Sequence, residues 1–154
     1  MYFNKVVTAL LLSVGFTLPL MAANDEAKNA IAQAKKTVKT ILAKDLKKKI
    51  DNEDDLFMLD IREPYMRPEG SIEGMDNVAI ARGLLEFNMA AQIKDKNAFI
   101  VVYCRSGKGA VLAAKMLKEV LKYKNVVYLK GGIQGWLDAG YSISNQFGEL
   151  KLAD

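Results

Sequence analysis

The sequence predicts an α/β domain built on a central, mostly parallel sheet of about five strands, with helices on both faces. Short apolar runs alternate along the chain with stretches of helical spacing, which is the pattern of successive strand–helix units. The strongest strand signal is Phe-Ile-Val-Val-Tyr at residues 99–103, and a helical apolar stripe follows it at 110–121. The remaining predicted strands lie at residues 38–42, 56–59, 78–80 and 126–129.

The connections between these strands carry most of the other predicted helices. Residues 24–36 are rich in alanine and lysine, and residues 43–51 place apolar side chains four apart, so we expect a helix in each. Further helices are predicted at residues 84–93 and 134–139. The prolines and glycines between residues 60 and 77 are typical of a long loop.

The N-terminus predicts export of the protein. Lys5 precedes an uncharged apolar run at residues 6–23 that ends in small residues, as in a secretory signal peptide cleaved near Ala23. The alternative is an uncleaved membrane anchor, because a run of about 18 residues is at the lower limit for a spanning helix. The first interpretation places the protein in the periplasm or outside the cell, and the second places it on a membrane, facing the periplasm.

The length of 154 residues suits one compact domain with a short additional segment. We expect a signal peptide at residues 1–23, a helical extension at 24–37, one domain at 38–145 and a C-terminal tail at 146–154. The formal net charge of +4 owes much to the lysines between residues 35 and 49. They could bind an acidic partner or a membrane surface. No aromatic residues interleave them, so we expect no nucleic-acid partner and interpret them as solvated helix faces.

The composition excludes several classes of enzyme. The chain contains no histidine, so a Ser-His-Asp triad, a Cys-His protease and a zinc site built on imidazole are impossible. The one cysteine, Cys104, can form neither an internal disulfide nor a cysteine-rich metal site. We therefore expect no metal and no cofactor, and a nucleophile that is activated without imidazole.

Cys104 begins the loop Cys-Arg-Ser-Gly-Lys-Gly, which joins the strand at 99–103 to the helix at 110–121. At such a junction, backbone N–H groups have no intrahelical partner and form an anion-binding nest with the helix dipole. A thiolate would accept those N–H bonds, so we expect the thiol to ionise easily. The alternative is a small, buried structural cysteine. The flanking cations Arg105 and Lys108 favour the nucleophile.

Polar or glycine-rich segments also follow two other predicted strands. Asp-Ile-Arg-Glu at residues 60–63 follows the strand at 56–59, and Lys-Gly-Gly at 130–132 follows the strand at 126–129. Active sites of parallel sheets lie beyond the carboxyl ends of the strands. The pattern therefore predicts that both segments meet the Cys104 loop at one rim of the sheet.

Four segments together resemble the rhodanese-type sulfurtransferases. Cys-Arg-Ser-Gly at residues 104–107 is similar to the active-site loop of that family, and Leu-Asp-Ile-Arg-Glu at 59–63 to its first signature. Glu-Gly-Ser-Ile at 69–72 resembles a Glu-Gly-His-Ile segment, with Ser71 in place of histidine. Leu-Lys-Gly-Gly-Ile-Gln-Gly-Trp at 129–136 is similar to the C-terminal signature. The resemblance implies a rhodanese-like fold.

The resemblance also implies a ping-pong reaction through a persulfide on Cys104. A small anionic donor such as thiosulfate would supply the sulfur, and cyanide, a thiol or a partner protein would accept it. The loop N–H groups would surround the persulfide, while Arg105 and Lys108 would hold the sulfonate oxygens of the donor. The implied substrate-binding residues are Arg105, Ser106, Gly107, Lys108 and Gly109. Gly109 and Ala110 depart from many family loops, which leaves the preferred donor open.

The other rim residues are expected to support the site. We expect Asp60 and Arg62 to organise the rim, with Arg62 in an ion pair with Glu69 or Glu63. Gly131 and Gly132 are expected to let their turn approach the site, and Trp136 to line the core or the pocket. Arg82, which precedes a predicted helix, either faces the pocket or is a structural, solvated side chain.

Two alternative functions stay open. A relay module would pass sulfur to a protein partner without turning over small molecules. A cysteine phosphatase or arsenate reductase would use a similar nest, but it needs an arginine to bind the phosphoryl oxygens at position 110. That position is Ala110.

Overall fold

A computed structural model describes residues 20–74 and 76–152, with side chains from Asp25 onward. The predicted signal peptide lies outside the described residues, except that its last residues begin the first helix. The helices are α1 (Leu20–Thr37), α2 (Ala43–Asp51), α3 (Leu85–Gln92), α4 (Lys108–Glu119) and α5 (Gly132–Asp138). The strands are β1 (Lys39–Ile41), β2 (Phe57–Asp60), β3 (Asp76–Ala79), β4 (Phe99–Tyr103), β5 (Asn125–Leu129), β6 (Ile143–Asn145) and β7 (Gly148–Leu150).

The first five strands form one parallel sheet in the order β1-β5-β4-β2-β3. Val101 of β4 lies opposite Met58 of β2 on one side and Val127 of β5 on the other, so β4 is the central strand. The three inner strands, β5, β4 and β2, are short and largely apolar because both faces of the sheet are covered there. The predicted fold class is confirmed.

Alternate residues of β4 reach opposite faces of the sheet, where two separate cores form. Ile100 and Val102 belong to the core that contains side chains of α1, α3 and α4. Val101 and Tyr103 belong to the core that contains side chains of α2 and α5. The helices therefore flank the sheet on both faces, and the loop after β4 emerges between the two layers.

Helix α1 packs against α4 as part of the folded body. Ala34 is fully buried, and Val38 just beyond the helix is almost fully buried, in the same core as Ala110 and Ala114 of α4. The small alanine side chains allow the two helices to approach closely. Among residues 20–74 and 76–152, no helix has the length and apolar character that crossing a bilayer requires.

The structure departs from the expected elements mainly at the edge of the sheet and at the C-terminus. Edge strand β3 begins at Asp76, two residues before the prediction, because its exposed polar residues carry no apolar pattern. The strands β6 and β7 form an antiparallel hairpin that was not predicted, since β7 is wholly exposed and also lacks such a pattern. The hairpin is tied to the body by two backbone bonds between Ser71 and Ser144.

Candidate active site

The rim at the carboxyl ends of β2, β4 and β5 brings together the three segments that the sequence placed there. The amide of Ile61 donates to the carbonyl oxygen of Tyr103 at 3.0 Å, which joins the end of β2 to β4. The amides of Ile133 and Gln134 donate to the carbonyl oxygens of Cys104 and Arg105 at 2.9 and 3.1 Å. The first turn of α5 therefore fixes the backbone on which the thiol is carried.

Cys104 is partly exposed, between the buried end of β4 and the start of α4. A Cβ added to Gly109 would lie 3.7 Å from the Sγ of Cys104 and 3.9 Å from the Cδ1 of Ile61. The thiol therefore lies beside the first turn of α4, where Gly109 presents no side chain to cover it. This position does not fit a sealed structural cysteine and does fit a thiol that reacts with small molecules.

Two glycines allow the Cys104 loop and the β5–α5 turn to approach one another. Gly107 has φ +79°, and a Cβ on it would lie 3.0 Å from the carbonyl oxygen of Leu129. Gly132 has φ +62°, and a Cβ on it would overlap the carbonyl oxygen of Cys104 and lie 2.7 Å from that of Arg105. A side chain at either position would collide with backbone atoms, and its residue would also have to adopt the strained left-handed conformation. The close contact of these two turns depends on both glycines.

The amide groups of the Cys104 loop are free to act as the predicted nest requires. Within the described residues, the N–H groups of residues 105–109 donate to no carbonyl oxygen or side chain. Gly107 is the residue before α4, in the left-handed conformation, so the chain curls around the N-terminus of this helix. Unpartnered amides at a helix N-terminus favour a bound negative charge. They suit a sulfur anion carried by Cys104 or the oxygens of an anionic donor.

Positive charge surrounds the mouth of the loop. Arg105 and Lys108 are exposed, and neither forms an ion pair with a carboxylate of the described residues. A groove of about 290 Å³ opens beside the loop, lined by Ser106, Gly107 and Lys108 together with Lys130. Cys104 itself is not part of its lining, so the groove lies beside the loop and does not contain the thiol. The site attracts anions from solution.

Comparison with known proteins identifies the family. The family model for the Rhodanese-like domain matches residues 42–139, well over half of the 154-residue chain. The chain belongs to this family. A sulfurtransferase of Allochromatium vinosum is 30% identical over 106 residues, which are 69% of this chain and 94% of that protein. These matches support sulfur transfer as the general activity of this rhodanese-like chain, which is accordingly a transferase.

Solved structures agree on the fold. The solution structure of the polysulfide-sulfur transferase homodimer of Wolinella succinogenes is 25% identical, with a TM-score of 0.65 over 87% of this chain and 92% of that one. A Rhodopseudomonas palustris protein of unknown function, described as a possible tyrosine phosphatase, is 24% identical. It has a TM-score of 0.67 and covers 93% of this chain and 100% of its own. The likeness to the Rhodopseudomonas palustris protein shows that the two chains share a fold, and it shows nothing about activity.

The rim of the rhodanese-like domain is built on a buried ion pair that differs from the expected one. Arg62 pairs with Asp60, with 2.6 Å between its Nη2 and the Oδ2 of Asp60, and both residues are almost fully buried. The prediction that Glu63 or Glu69 pairs with Arg62 was wrong, because both glutamates are exposed. The Nη2 of Arg62 also donates to the carbonyl oxygen of Gly70 at 2.7 Å. The pair thereby anchors the long loop after β2.

The pKa values of Arg62 itself and of the neighbouring Tyr103 are both raised at this pair. Burial acts to lower the pKa of Arg62, but the hydrogen bond and the negative charge of Asp60 outweigh it, so the pKa is raised. Burial, and then the nearby Asp60 carboxylate, raise the pKa of Tyr103, whose ring lies 5.7 Å from the guanidinium carbon of Arg62. Arg62 therefore stays charged and Tyr103 stays neutral. The pair contributes structure to the rim, since both side chains are almost fully buried.

Arg82 and Trp136, two other predicted supporting residues, contact residues close to them in sequence. Arg82 forms an exposed ion pair with Glu86 of α3 at 3.4 Å and lines no part of the groove beside the loop. Trp136 is buried, its Nε1 donates to the carbonyl oxygen of Ser142 at 2.7 Å, and its ring lies 4.8 Å from that of Tyr141. The geometry gives Arg82 a solvated position and gives Trp136 a place in the core that fixes α5.

Three residues near the site were given no role of their own from the sequence, although Ile61 and Lys130 lie in the two segments predicted to meet the Cys104 loop. Ile61 places its apolar Cδ1 beside Gly109, on which an added Cβ would also contact the Sγ of Cys104. Lys130 lines the groove and could have been selected, because it directly follows β5. Lys35 lines the same groove from α1, and no sequence pattern indicates that α1 packs close to the loop. Its position depends on tertiary packing alone.

Proposed function

We propose that this rhodanese-like protein moves sulfane sulfur from a small anionic donor such as thiosulfate to a thiophilic acceptor such as cyanide. Sulfur is carried as a persulfide on Cys104. The observation that supports this most directly is a partly exposed thiol at the start of a loop whose amides have no acceptor among the described residues. Such amides can stabilise negative charge on the attached sulfur without any histidine.

In the first step, the Cys104 thiolate attacks the outer sulfur of thiosulfate. A new S–S bond forms to Sγ, the S–S bond inside thiosulfate breaks, and sulfite leaves with the electron pair. Arg105 and Lys108 bind the sulfonate oxygens of the donor, and the amides of residues 105–109 hold the negative charge of the persulfide. No proton transfer is needed, which agrees with the absence of histidine from the chain.

In the second step, cyanide or an acceptor thiolate attacks the outer sulfur of the persulfide. The bond between that sulfur and Sγ breaks, and its electron pair returns to Cys104 as the thiolate. Thiocyanate or a persulfide of the acceptor leaves. Gly109 favours this step, because the side of the thiol that faces α4 carries no covering side chain.

Polysulfide is a second candidate donor. The Wolinella succinogenes relative is named a polysulfide-sulfur transferase and spans most of this chain. A polysulfide also carries negative charge and an S–S bond that a thiolate can cleave, so the same loop suits it. Parallel assays with thiosulfate and polysulfide would give the preferred donor as the one with the higher kcat/KM.

Two alternatives make different predictions in the same assay. A relay module forms a stable persulfide but turns over thiosulfate and cyanide negligibly. A cysteine phosphatase or arsenate reductase hydrolyses an aryl phosphate or reduces arsenate instead, and Ala110 in place of the required arginine argues against it. Fast formation of thiocyanate, lost in Cys104→Ser, supports the enzyme. Phosphate release without thiocyanate would contradict it.

We propose further that the protein is exported, with residues 1–23 acting as a signal peptide. The support is the charged start, the apolar run and the small residues near Ala23. An unprocessed chain in the membrane fraction would instead favour the anchor. Mass spectrometry of the N-terminus, after fractionation of the producing cells, separates cleavage and release from membrane retention.

A further inference from the structure

Two neighbouring basic pockets lie between α1 and the Cys104 loop, and we name them together the lysine groove. One part of about 290 Å³ lies between Lys35, Lys130 and Lys108, and a second part of about 450 Å³ follows α1 past Lys28 and Ile31. Lys35 and Lys108 line both parts. The lysine groove therefore extends the surface of the loop well beyond the space that a single small anion needs.

The lining of the lysine groove combines basic and apolar side chains. Among the described residues, none of those that line it is acidic, and Lys35, Lys108 and Lys130 form no ion pair. Lys28 forms an ion pair with Asp25, with 3.1 Å between the Nζ of Lys28 and the Oδ1 of Asp25. Ile31 provides apolar surface in the part along α1. In the part near the loop, Leu42 and Tyr128 provide it.

We infer that the lysine groove binds an acidic, extended segment of a partner protein whose thiol receives the sulfur from Cys104. The inference rests on the proposed function. Residues 27–35 of α1 span roughly 12 Å along the helix axis, which about four residues of extended chain would cover. Thiosulfate is much shorter than this span. A peptide with alternating acidic and apolar side chains matches both the basic and the apolar residues of the lining.

The reaction at the bound partner is the second step of the proposed cycle. The partner's thiolate attacks the outer sulfur of the Cys104 persulfide, a new S–S bond forms on the partner, and the bond to Sγ breaks. The electron pair returns to Cys104, so no oxidant or reductant is consumed. Binding of the acidic segment raises the concentration of that thiol beside the loop.

The test compares two synthetic acceptor peptides on the full chain preloaded with thiosulfate. In one peptide a cysteine follows a run of glutamates, and in the other the glutamates are replaced by glutamines. We expect the acidic peptide to take sulfur about tenfold faster at low ionic strength. We expect this ratio to fall towards one as salt is added, because salt screens exposed charges.

Substitutions on α1 test whether the acidic peptide binds in the lysine groove. Lys35→Glu should abolish most of the preference for the acidic peptide, whereas Lys36→Glu, the same change on the next exposed residue outside the groove, should retain it. Failure of the chain to take sulfur at all would refute the proposed function. A loaded chain that reacts equally with both peptides would refute the docking inference alone.

A third outcome would reassign the groove to a lipid surface. Vesicles of mixed phosphatidylcholine and phosphatidylglycerol provide the probe, with co-sedimentation as the measurement. Binding that depends on Lys35, combined with no preference between the peptides, would overturn the inference in favour of an anionic membrane. Absence of vesicle binding together with the peptide preference supports the acidic polypeptide.

Discussion

The backbone of Gly132 lies so close to the carbonyl oxygen of Cys104 that no side chain fits between them. This contact joins the β5–α5 turn to the loop that carries the thiol. The neighbouring amides of Ile133 and Gln134 reinforce it with hydrogen bonds to that loop. The position of the nucleophile therefore depends on a residue that takes no part in the chemistry.

Replacement of Gly132 by alanine should impair both stability and sulfur transfer. The added methyl group would meet the carbonyl oxygens of Cys104 and Arg105, and the backbone has φ +62°. Gly140→Ala is the matched control, since Gly140 also has positive φ but nothing lies within 4 Å of an added Cβ. We expect Gly132→Ala to lose at least about 1 kcal/mol more unfolding free energy than the control. Urea unfolding measures this difference, and equal losses would contradict the contact.

Breaking the ion pair of Asp60 and Arg62 should destabilise the fold. Asp60→Ala leaves the buried guanidinium without its carboxylate, which costs about 3–5 kcal/mol when one partner of such a pair is removed. Glu63→Ala removes an exposed carboxylate one residue beyond Arg62 and should change stability little. Chemical denaturation of the two variants tests the assignment. A larger loss in Glu63→Ala would show that the pairing is different in solution.

The raised pKa of Tyr103 predicts a loss of stability at high pH. In the unfolded chain the phenol ionises near its ordinary value of 10.0, whereas burial and the Asp60 carboxylate disfavour ionisation in the folded state. Stability is therefore full below pH 10 and falls as the pH rises above it, by at most about 1.4 kcal/mol per pH unit for this group. Tyr103→Phe should flatten this slope, and Tyr65→Phe, at an exposed position, should not. Unfolding free energies measured between neutral and alkaline pH check the difference.

Lys108 is predicted to bind the donor and not to react. Lys108→Ala should raise the KM for thiosulfate by about threefold to tenfold with a smaller change in kcat, because an exposed cation contributes modest binding energy. Lys122→Ala also removes an exposed lysine, beyond the far end of α4, and serves as the control. Steady-state kinetics with varied thiosulfate separate KM from kcat. An unchanged KM in Lys108→Ala would remove this residue from the donor site.

The sheet and the Cys104 loop could be predicted because their signals are local. The apolar run of β4 gives the bounds of the strand directly, and the loop follows from the glycines and cations after it. The parallel arrangement then places Asp60 and Cys104 at one rim. These features require only the periodicity of the sequence and the rule that parallel strands end on the same side.

Other features depend on tertiary packing and could not be predicted. The partner of Arg62 is Asp60 because the loop after β2 buries both side chains, whereas spacing alone allows three acidic neighbours. Lys35 reaches the groove only because α1 packs against α4. The β6–β7 hairpin is held by Ser71, distant in sequence, and β7 has no buried side chain to produce a pattern.

The intact mass of the protein after incubation with thiosulfate tests the central proposal most directly. We predict a gain of one sulfur atom that is removed by cyanide and is absent from Cys104→Ser, a variant expected to keep the fold because the thiol is only partly buried. A wild-type chain that gains no sulfur, or a Cys104→Ser chain that gains it equally, would contradict a persulfide on Cys104.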